Sequence, residues 1–189
     1  MPTDIDQKDR SIALTVTPVL TYPSPGNYGA NFTVTQTEGD PQSMNGRVDR
    51  HGNIRLNNLP NNAKYNDNVD IVISLDDSQL KDEHGNPLSG RWATSTEYSG
   101  KGPVTGFCWF AGMNEDGSYD ADLPMAIENM STSRLDDTTV LIDDDTTASA
   151  PDYAYCLGLV LPDKNNYYIT LDPRIGSKGT VNNSFMLKD

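Results

Sequence analysis

The sequence predicts an all-β protein: a single β-sandwich or small barrel-like domain of about ten to twelve short antiparallel strands with little or no helix. Three observations lead to this class. Asp outnumbers Glu by 22 to 5, and short carboxylates favour turns over helix interiors because they hydrogen-bond to the nearby backbone. Apolar and polar residues alternate with a period of two in many short segments. No window of the chain shows sustained helical periodicity.

The first half of the chain contains the clearest strand patterns. Segments 11–20 and 31–37 alternate apolar and polar side chains, as half-buried strands do. A tight hairpin is predicted around His51-Gly52, and segment 69–75 is a strongly apolar strand. A turn is predicted at 82–87, where Asp, Gly, Asn and Pro occur together.

The second half continues with short strands separated by polar loops. An exposed loop is predicted at 94–103, and 125–130 fits either a short strand or one helical turn. Five strands are predicted in this half: 104–113, 138–142, 153–161, 166–171 and 180–187. We therefore predict a flexible segment at 1–10 and a single domain at 11–189, with two sub-sheets meeting near 94–103.

Charge and hydropathy limit the partners. A net charge of −13 argues against nucleic acid, because binding to phosphates needs clustered Lys and Arg, and it argues equally against an anionic membrane surface. The chain has no run of the roughly 20 apolar residues that a spanning helix needs. No export signal is recognised, so the prediction is cytoplasmic, although a mature secreted form would look the same. Protein ligands, carbohydrate ligands and a homo-oligomer all remain open.

The best candidate for a metal site is the acidic loop at 114–122. Ca²⁺ prefers six to eight hard oxygen ligands, and a loop kinked by glycine can supply several at alternate positions. The candidate ligands are Asn114, Asp116, Asp120 and Asp122. The loop is not an EF-hand, since its first and twelfth positions lack acids. Weak Ca²⁺ binding and a solvated turn are the alternatives, and no cofactor is required.

Paired carboxylates offer a second chemistry. Segments 71–78 and 139–146 both consist of an apolar strand followed by acidic residues and a hydroxyl. If Asp77 and Asp144 converged, one could accept a proton while the other donated one, as in an acid hydrolase or peptidase. The glycine that follows the Asp-Thr or Asp-Ser pair in aspartic peptidases is absent from both segments. Wet turns are the alternative.

Cysteine and aromatic residues have an ordinary structural explanation. Cys108 and Cys156 lie in apolar, aromatic segments, which predicts buried free thiols in neighbouring strands; a disulfide would need an oxidising compartment. Tyr and Trp concentrate in the second half beside Asp and Asn. That mixture is typical of neutral carbohydrate recognition and equally of an ordinary sandwich core.

The C-terminal half resembles a known family. Segment 153–160 is a Tyr-rich strand, and segment 166–175 ends in Asp172-Pro173-x-Ile175. Both are similar to the DP-EP family of small bacterial proteins, and segment 71–93 is similar to the preceding strand pair of that family. The chain departs from the family at Gly176-Ser177, where Asn often follows. The resemblance implies a compact β fold and transfers no catalytic residue.

The predicted function is a non-catalytic binding or structural module, self-associating through an exposed strand edge. One alternative is a calcium-dependent ligand- or carbohydrate-binding module that uses the 114–122 loop. The other is an acid hydrolase that uses Asp77 and Asp144. No catalytic residue is assigned.

Overall fold

The computed structural model describes residues 7–97, 106–112, 118, 124–146, 153–171 and 174–176. Eleven strands lie in this part of the chain: β1 Lys8–Ser24, β2 Asn27–Asp40, β3 Ile54–Arg55, β4 Tyr65–Leu75, β5 Arg91–Trp92, β6 Cys108–Gly112, β7 Met130–Arg134, β8 Thr139–Asp144, β9 Tyr153–Leu161, β10 Tyr167–Leu171 and β11 Arg174–Gly176. The helical segments described are two 3₁₀ turns of three residues each, Gln42–Met44 and Pro162–Lys164. The all-β prediction is confirmed.

The strands form two sheets. The five-stranded sheet has the order β2-β1-β4-β8-β7. In the six-stranded sheet β9 pairs with β5, β6, β10 and β11, and β11 also pairs with β3. β10 and β11 pair with successive parts of β9 without a shift in register: Leu171 lies opposite Leu157, and Arg174 lies opposite Ala154.

The pairing is mixed, whereas the sequence predicted antiparallel strands throughout. β1 and β4 pair in parallel, and so do β3 and β11. Parallel neighbours need a long crossover connection. For β1 and β4 that connection passes through β2 and β3, so the chain enters the six-stranded sheet before it returns to the five-stranded one.

Both sheets bury side chains in one hydrophobic core, which makes the architecture a sandwich. Alternate residues of β1, such as Ile12 and Leu14, meet residues of the six-stranded sheet, such as Trp92 and Tyr155, in a single cluster. Every residue of β9 is buried. A strand covered on both faces reads as a continuous apolar run, as residues 153–161 do.

The domain starts earlier than the sequence predicted. Residues 1–10 were expected to be a flexible segment, but β1 already begins at Lys8 and the Arg10 side chain is only 1% exposed. The sheets also do not divide the chain near 94–103. Strands from both sides of that segment enter both sheets.

The two cysteines are buried thiols that form no disulfide, as the sequence predicted. Cys108 lies opposite Leu157, and Cys156 lies opposite Trp109. Directly opposed residues point to the same face of a sheet, and neighbouring residues of a strand point to opposite faces. Cys156 therefore shares a face with Trp109, and Cys108 points to the other face. Burial raises the pKa of the Cys108 thiol.

Candidate functional site

The predicted calcium loop lies outside the described residues. This applies to all four candidate ligands: Asn114, Asp116, Asp120 and Asp122. Calcium binding there therefore stays a prediction.

The structure does not bring Asp77 and Asp144 together. β4 and β8 are antiparallel, with Val69 opposite Asp144, whereas Asp77 follows the other end of β4, beyond Leu75. Six residues of strand, roughly 20 Å, separate Val69 from Leu75. Similar local sequences thus lie at opposite ends of the sheet, and the two carboxylates cannot share a proton or a substrate bond.

Each of these aspartates instead satisfies nearby polar groups. The Asp144 side chain is 1% exposed. It accepts hydrogen bonds from the backbone N–H of Thr146 at 2.9 Å, the Thr146 hydroxyl at 2.5 Å and the Tyr153 hydroxyl at 3.1 Å. Asp77 accepts one from the backbone N–H of Gly90 at 3.0 Å. The two bonds from Thr146 are local turn bonds, but Asp144 is buried, so the prediction of a wet turn is wrong for this residue.

Two loops share the five-residue pattern D-x-H-G-N. They are Asp49–Asn53 and Asp82–Asn86, where the sequence predicts two separate turns. In each loop the Asp carboxylate accepts hydrogen bonds from the backbone N–H of the His and the Asn, and from the Asn side chain. The glycines have φ angles of 82° and 83°, in the region that favours glycine. The same Asp-stabilised turn therefore occurs at two places in the chain.

The second of these loops also groups three metal-ligand side chains. Ligand atoms of Asp82, Glu83 and His84 lie within 4.8 Å of one another. However, the ammonium of Lys164 lies 3.7 Å from Asp82 and 4.0 Å from Glu83. Hydrogen bonds from Asn86 are the main cause that lowers the pKa of Asp82 to about 2. The Lys164 ammonium thus balances the charge of these two carboxylates, and the hydrogen bonds to Asp82 hold the turn without a metal ion.

Arg10 is the most unusual side chain in the described part of the molecule. It occupies the same phase of β1 as Ile12 and Leu14 and therefore points between the sheets. Its Nε donates to the carbonyl of Asn66 at 2.7 Å. Its Nη2 donates to the carbonyl of Pro60 at 2.9 Å and lies 3.3 Å from Asp67 Oδ1. Nη1 is buried and has no hydrogen-bond partner among the described residues.

Arg10 forms part of the wall of a cavity of about 630 Å³, named here the Arg10 pocket. The lining is polar and rich in amides: Gln7, Arg10, Asn61, Asn62, Ala63, Tyr65, Asn66 and Asp67. Within the described structure, Nη1 of Arg10 is buried without a hydrogen-bond partner, and the lining adds Asn amides and the exposed Asp67 carboxylate. The pocket therefore offers both donors and acceptors.

Tyr65 is fixed in the pocket wall by charged neighbours. Its hydroxyl donates to Asp40 Oδ1 at 2.5 Å, and the Lys8 ammonium lies 4.9 Å from the ring centroid and 3.3 Å from Asp40 Oδ2. The hydrogen bond from Tyr65, more than that from Lys8, lowers the pKa of Asp40. The ring consequently has a defined orientation.

The outer face of the five-stranded sheet is acidic near this end. Asp70 lies opposite Asp143 in the β4–β8 ladder, and Asp145 follows β8. Partial burial, followed by repulsion from Asp145 and Asp9, raises the pKa of both Asp70 and Asp143. The protein around the Arg10 pocket thus carries an excess of negative charge.

Sequence reasoning missed Arg10 because it assigned the residue to the flexible segment 1–10. The detectable signal was its phase, which matches the apolar positions of β1. Among the Tyr and Trp residues that could stack on a carbohydrate, Trp92, Tyr153 and Tyr155 are core residues, each at most 1% exposed. The aromatic residue that lines the pocket is Tyr65, in the first half of the chain.

No known protein family, curated protein or solved structure matches the chain. The resemblance to the DP-EP family therefore stays a prediction. Within the described residues, no helix has the length and apolar character needed to cross a membrane.

Proposed function

We propose that the protein is a non-catalytic binding module that holds a small, oxygen-rich ligand in the Arg10 pocket. The observation that carries this proposal is the buried guanidinium whose Nη1 has no partner among the described residues. A buried donor without an acceptor costs about 1–3 kcal/mol, and more when it is charged. A ligand oxygen placed against Nη1 would recover that free energy.

The size and composition of the cavity support this proposal. Ligand pockets are typically about 300–1,000 Å³, and the Arg10 pocket of about 630 Å³ lies within this range. Its side-chain amides can donate and accept hydrogen bonds but do not titrate near neutral pH. They suit recognition of hydroxyl, carbonyl and amide groups.

The lining supports binding rather than catalysis. Proton transfer needs a group with a pKa near the working pH, commonly a His, Glu or Asp paired with a second group. Asp67 is the one carboxylate in the lining, and its side chain is 75% exposed. A guanidinium is a hydrogen-bond donor and offers no acceptor that could serve as a base. The arrangement can orient a ligand but lacks an acid/base pair.

The competing explanation is that Arg10 only holds the loop 60–67 in place through two carbonyls. A double variant, Asn61→Ala with Asn62→Ala, tests the two roles, because it alters the pocket lining without replacing Arg10 or the two residues whose carbonyls accept from it. It also removes the hydrogen bond that the Lys64 N–H donates to Asn62 Oδ1, so retention of the fold is checked. Ligand-observed NMR with a mixture of small sugars, amides and carboxylic acids should detect binding to the wild type and its loss in the double variant.

The matched control is Asn31→Ala, which changes an exposed Asn of β2 outside the pocket. Binding should persist in this control. The proposal fails if no probe binds the wild type, or if the pocket variant binds as the control does. Circular dichroism of all three proteins checks that the fold is retained.

A further inference from the structure

The Arg10–Asp67 pair carries an inference about the ligand, which rests on the proposed function. We infer that the Arg10 pocket recognises a neutral saccharide through two adjacent hydroxyl groups. Three features support this: a donor beside an acceptor, a guanidinium that already has a counter-charge, and acidic surroundings.

The pair presents a donor and an acceptor side by side. Nη2 of Arg10 lies 3.3 Å from Oδ1 of Asp67, so a guanidinium donor and a carboxylate acceptor are adjacent in the lining. The guanidinium in the pocket wall can donate to one oxygen of a ligand, and the carboxylate, whose side chain is 75% exposed, can accept from a neighbouring O–H. A hydroxyl group both donates and accepts, whereas an ionised carboxylate only accepts. Vicinal hydroxyls therefore match the pair better than a carboxylate does.

The charges near the pocket disfavour an anion. Asp67 already neutralises Arg10. Asp9 adjoins Arg10 in the chain, and its Oδ1 accepts a hydrogen bond from the Asn66 side chain at 2.6 Å. The whole chain has a net charge of −13. An anionic ligand would meet repulsion from these groups, while a neutral ligand would not.

The rest of the lining fits a sugar ring. Asn61 and Asn62 supply amides on one segment, and the Tyr65 ring supplies an aromatic surface held in place by Asp40 and Lys8. Amphipathic rings of this kind present an apolar body beside a polar tip. A pyranose, which has hydroxyls at its rim and C–H groups on its faces, can use both kinds of contact.

Isothermal titration calorimetry with D-glucose, D-mannose, D-galactose and sodium D-glucuronate tests the inference. At least one neutral sugar should bind the wild type at millimolar concentration, and glucuronate should bind more weakly than glucose. Asp67→Asn should weaken the binding of the neutral sugar about tenfold, because a charged acceptor is replaced by a neutral one. The deoxy form of the bound sugar that lacks one of the paired hydroxyls should bind comparably weakly.

The matched control is Glu128→Gln, which removes one negative charge from an exposed residue outside the pocket; it should leave the affinity unchanged. Tighter binding of glucuronate than of glucose, with Asp67→Asn improving it, would overturn the saccharide inference and leave the binding module standing. Failure of every probe to bind overturns the inference. If neutral sugars bind but Asn61→Ala with Asn62→Ala has no effect, both the inference and the proposed pocket are refuted.

Discussion

The ion pair between Arg91 and Glu97 should contribute strongly to stability, and its contribution should depend on pH. The guanidinium donates to both carboxylate oxygens of Glu97, at 2.7 and 2.8 Å, and the backbone N–H of Thr94 donates at 2.8 Å. The hydrogen bonds from Arg91 are the largest cause that lowers the pKa of Glu97 from 4.5 to about 2. The Glu97 and Arg91 side chains are 28% and 19% exposed.

The size of the effect follows from the pKa shift. A difference of roughly 2.5 pH units, at about 1.4 kcal/mol per unit, corresponds to at most about 3.5 kcal/mol. Solvent screening of a partly exposed pair reduces this to about 2 kcal/mol. Glu97→Gln should therefore lower the free energy of unfolding by about 2 kcal/mol at pH 7, because the neutral amide cannot replace the bidentate charge pair.

The sign of the pH dependence is fixed by the direction of the shift. A carboxyl group whose pKa is depressed in the folded state contributes its full stabilisation above the unfolded pKa, here near 4.5. That stabilisation is lost as the pH falls from about 4.5 towards 2. The difference between wild type and Glu97→Gln should thus shrink over this interval.

Urea denaturation at pH 7, 4 and 2.5, followed by circular dichroism, measures this difference. Glu38→Gln is the control, since Glu38 is exposed and takes part in none of the ion pairs among the described residues; it should change stability by less than about 0.5 kcal/mol. A Glu97→Gln effect that is equal at pH 7 and 2.5, or no larger than the control, would refute the reasoning.

Three further substitutions or reactions test the packing. Gly158→Ala should destabilise by about 1–3 kcal/mol in thermal melts, since the new Cβ would lie 2.4 Å from the Tyr168 hydroxyl oxygen; a stability equal to wild type would contradict this close approach. Trp92→Phe should cost about 1–3 kcal/mol in urea denaturation, because the indole N–H donates to the Thr138 carbonyl at 2.8 Å; retention of full stability would show that bond to be dispensable. Cys108 should not react with a thiol reagent at pH 8 until urea unfolds the protein, because it is 8% exposed and its thiol pKa is raised; mass spectrometry of the native labelled protein would detect the contrary result.

Local sequence patterns predicted the strands well because period-two alternation directly reflects one buried face. Segments 11–20, 69–75 and 153–161 all lie in strands. Partner choice is different. The parallel pairing of β1 with β4 is set by packing between distant segments, and local alternation contains no information about it.

The candidate site was harder to predict for a related reason. The Arg10 guanidinium can be buried because it donates hydrogen bonds to the backbone carbonyls of Pro60 and Asn66, which are at least 50 residues away in the chain. Sequence periodicity shows the phase of a side chain but not these distant acceptors. The similarity of the acidic segments after β4 and β8 was real, yet antiparallel pairing placed Asp77 and Asp144 at opposite ends of the sheet.

The dependence of the second sheet on β9 has a consequence for synthesis of the chain. β5, β6, β10 and β11 all pair with β9, and β3 joins the sheet through β11. All strands of the five-stranded sheet, by contrast, precede residue 145. A chain emerging from the ribosome can therefore complete its first sheet while the apolar residues of β5 and β6 wait for residues 153–161. During that interval the nascent protein exposes the core face of its first sheet, because the second sheet that covers it has not formed.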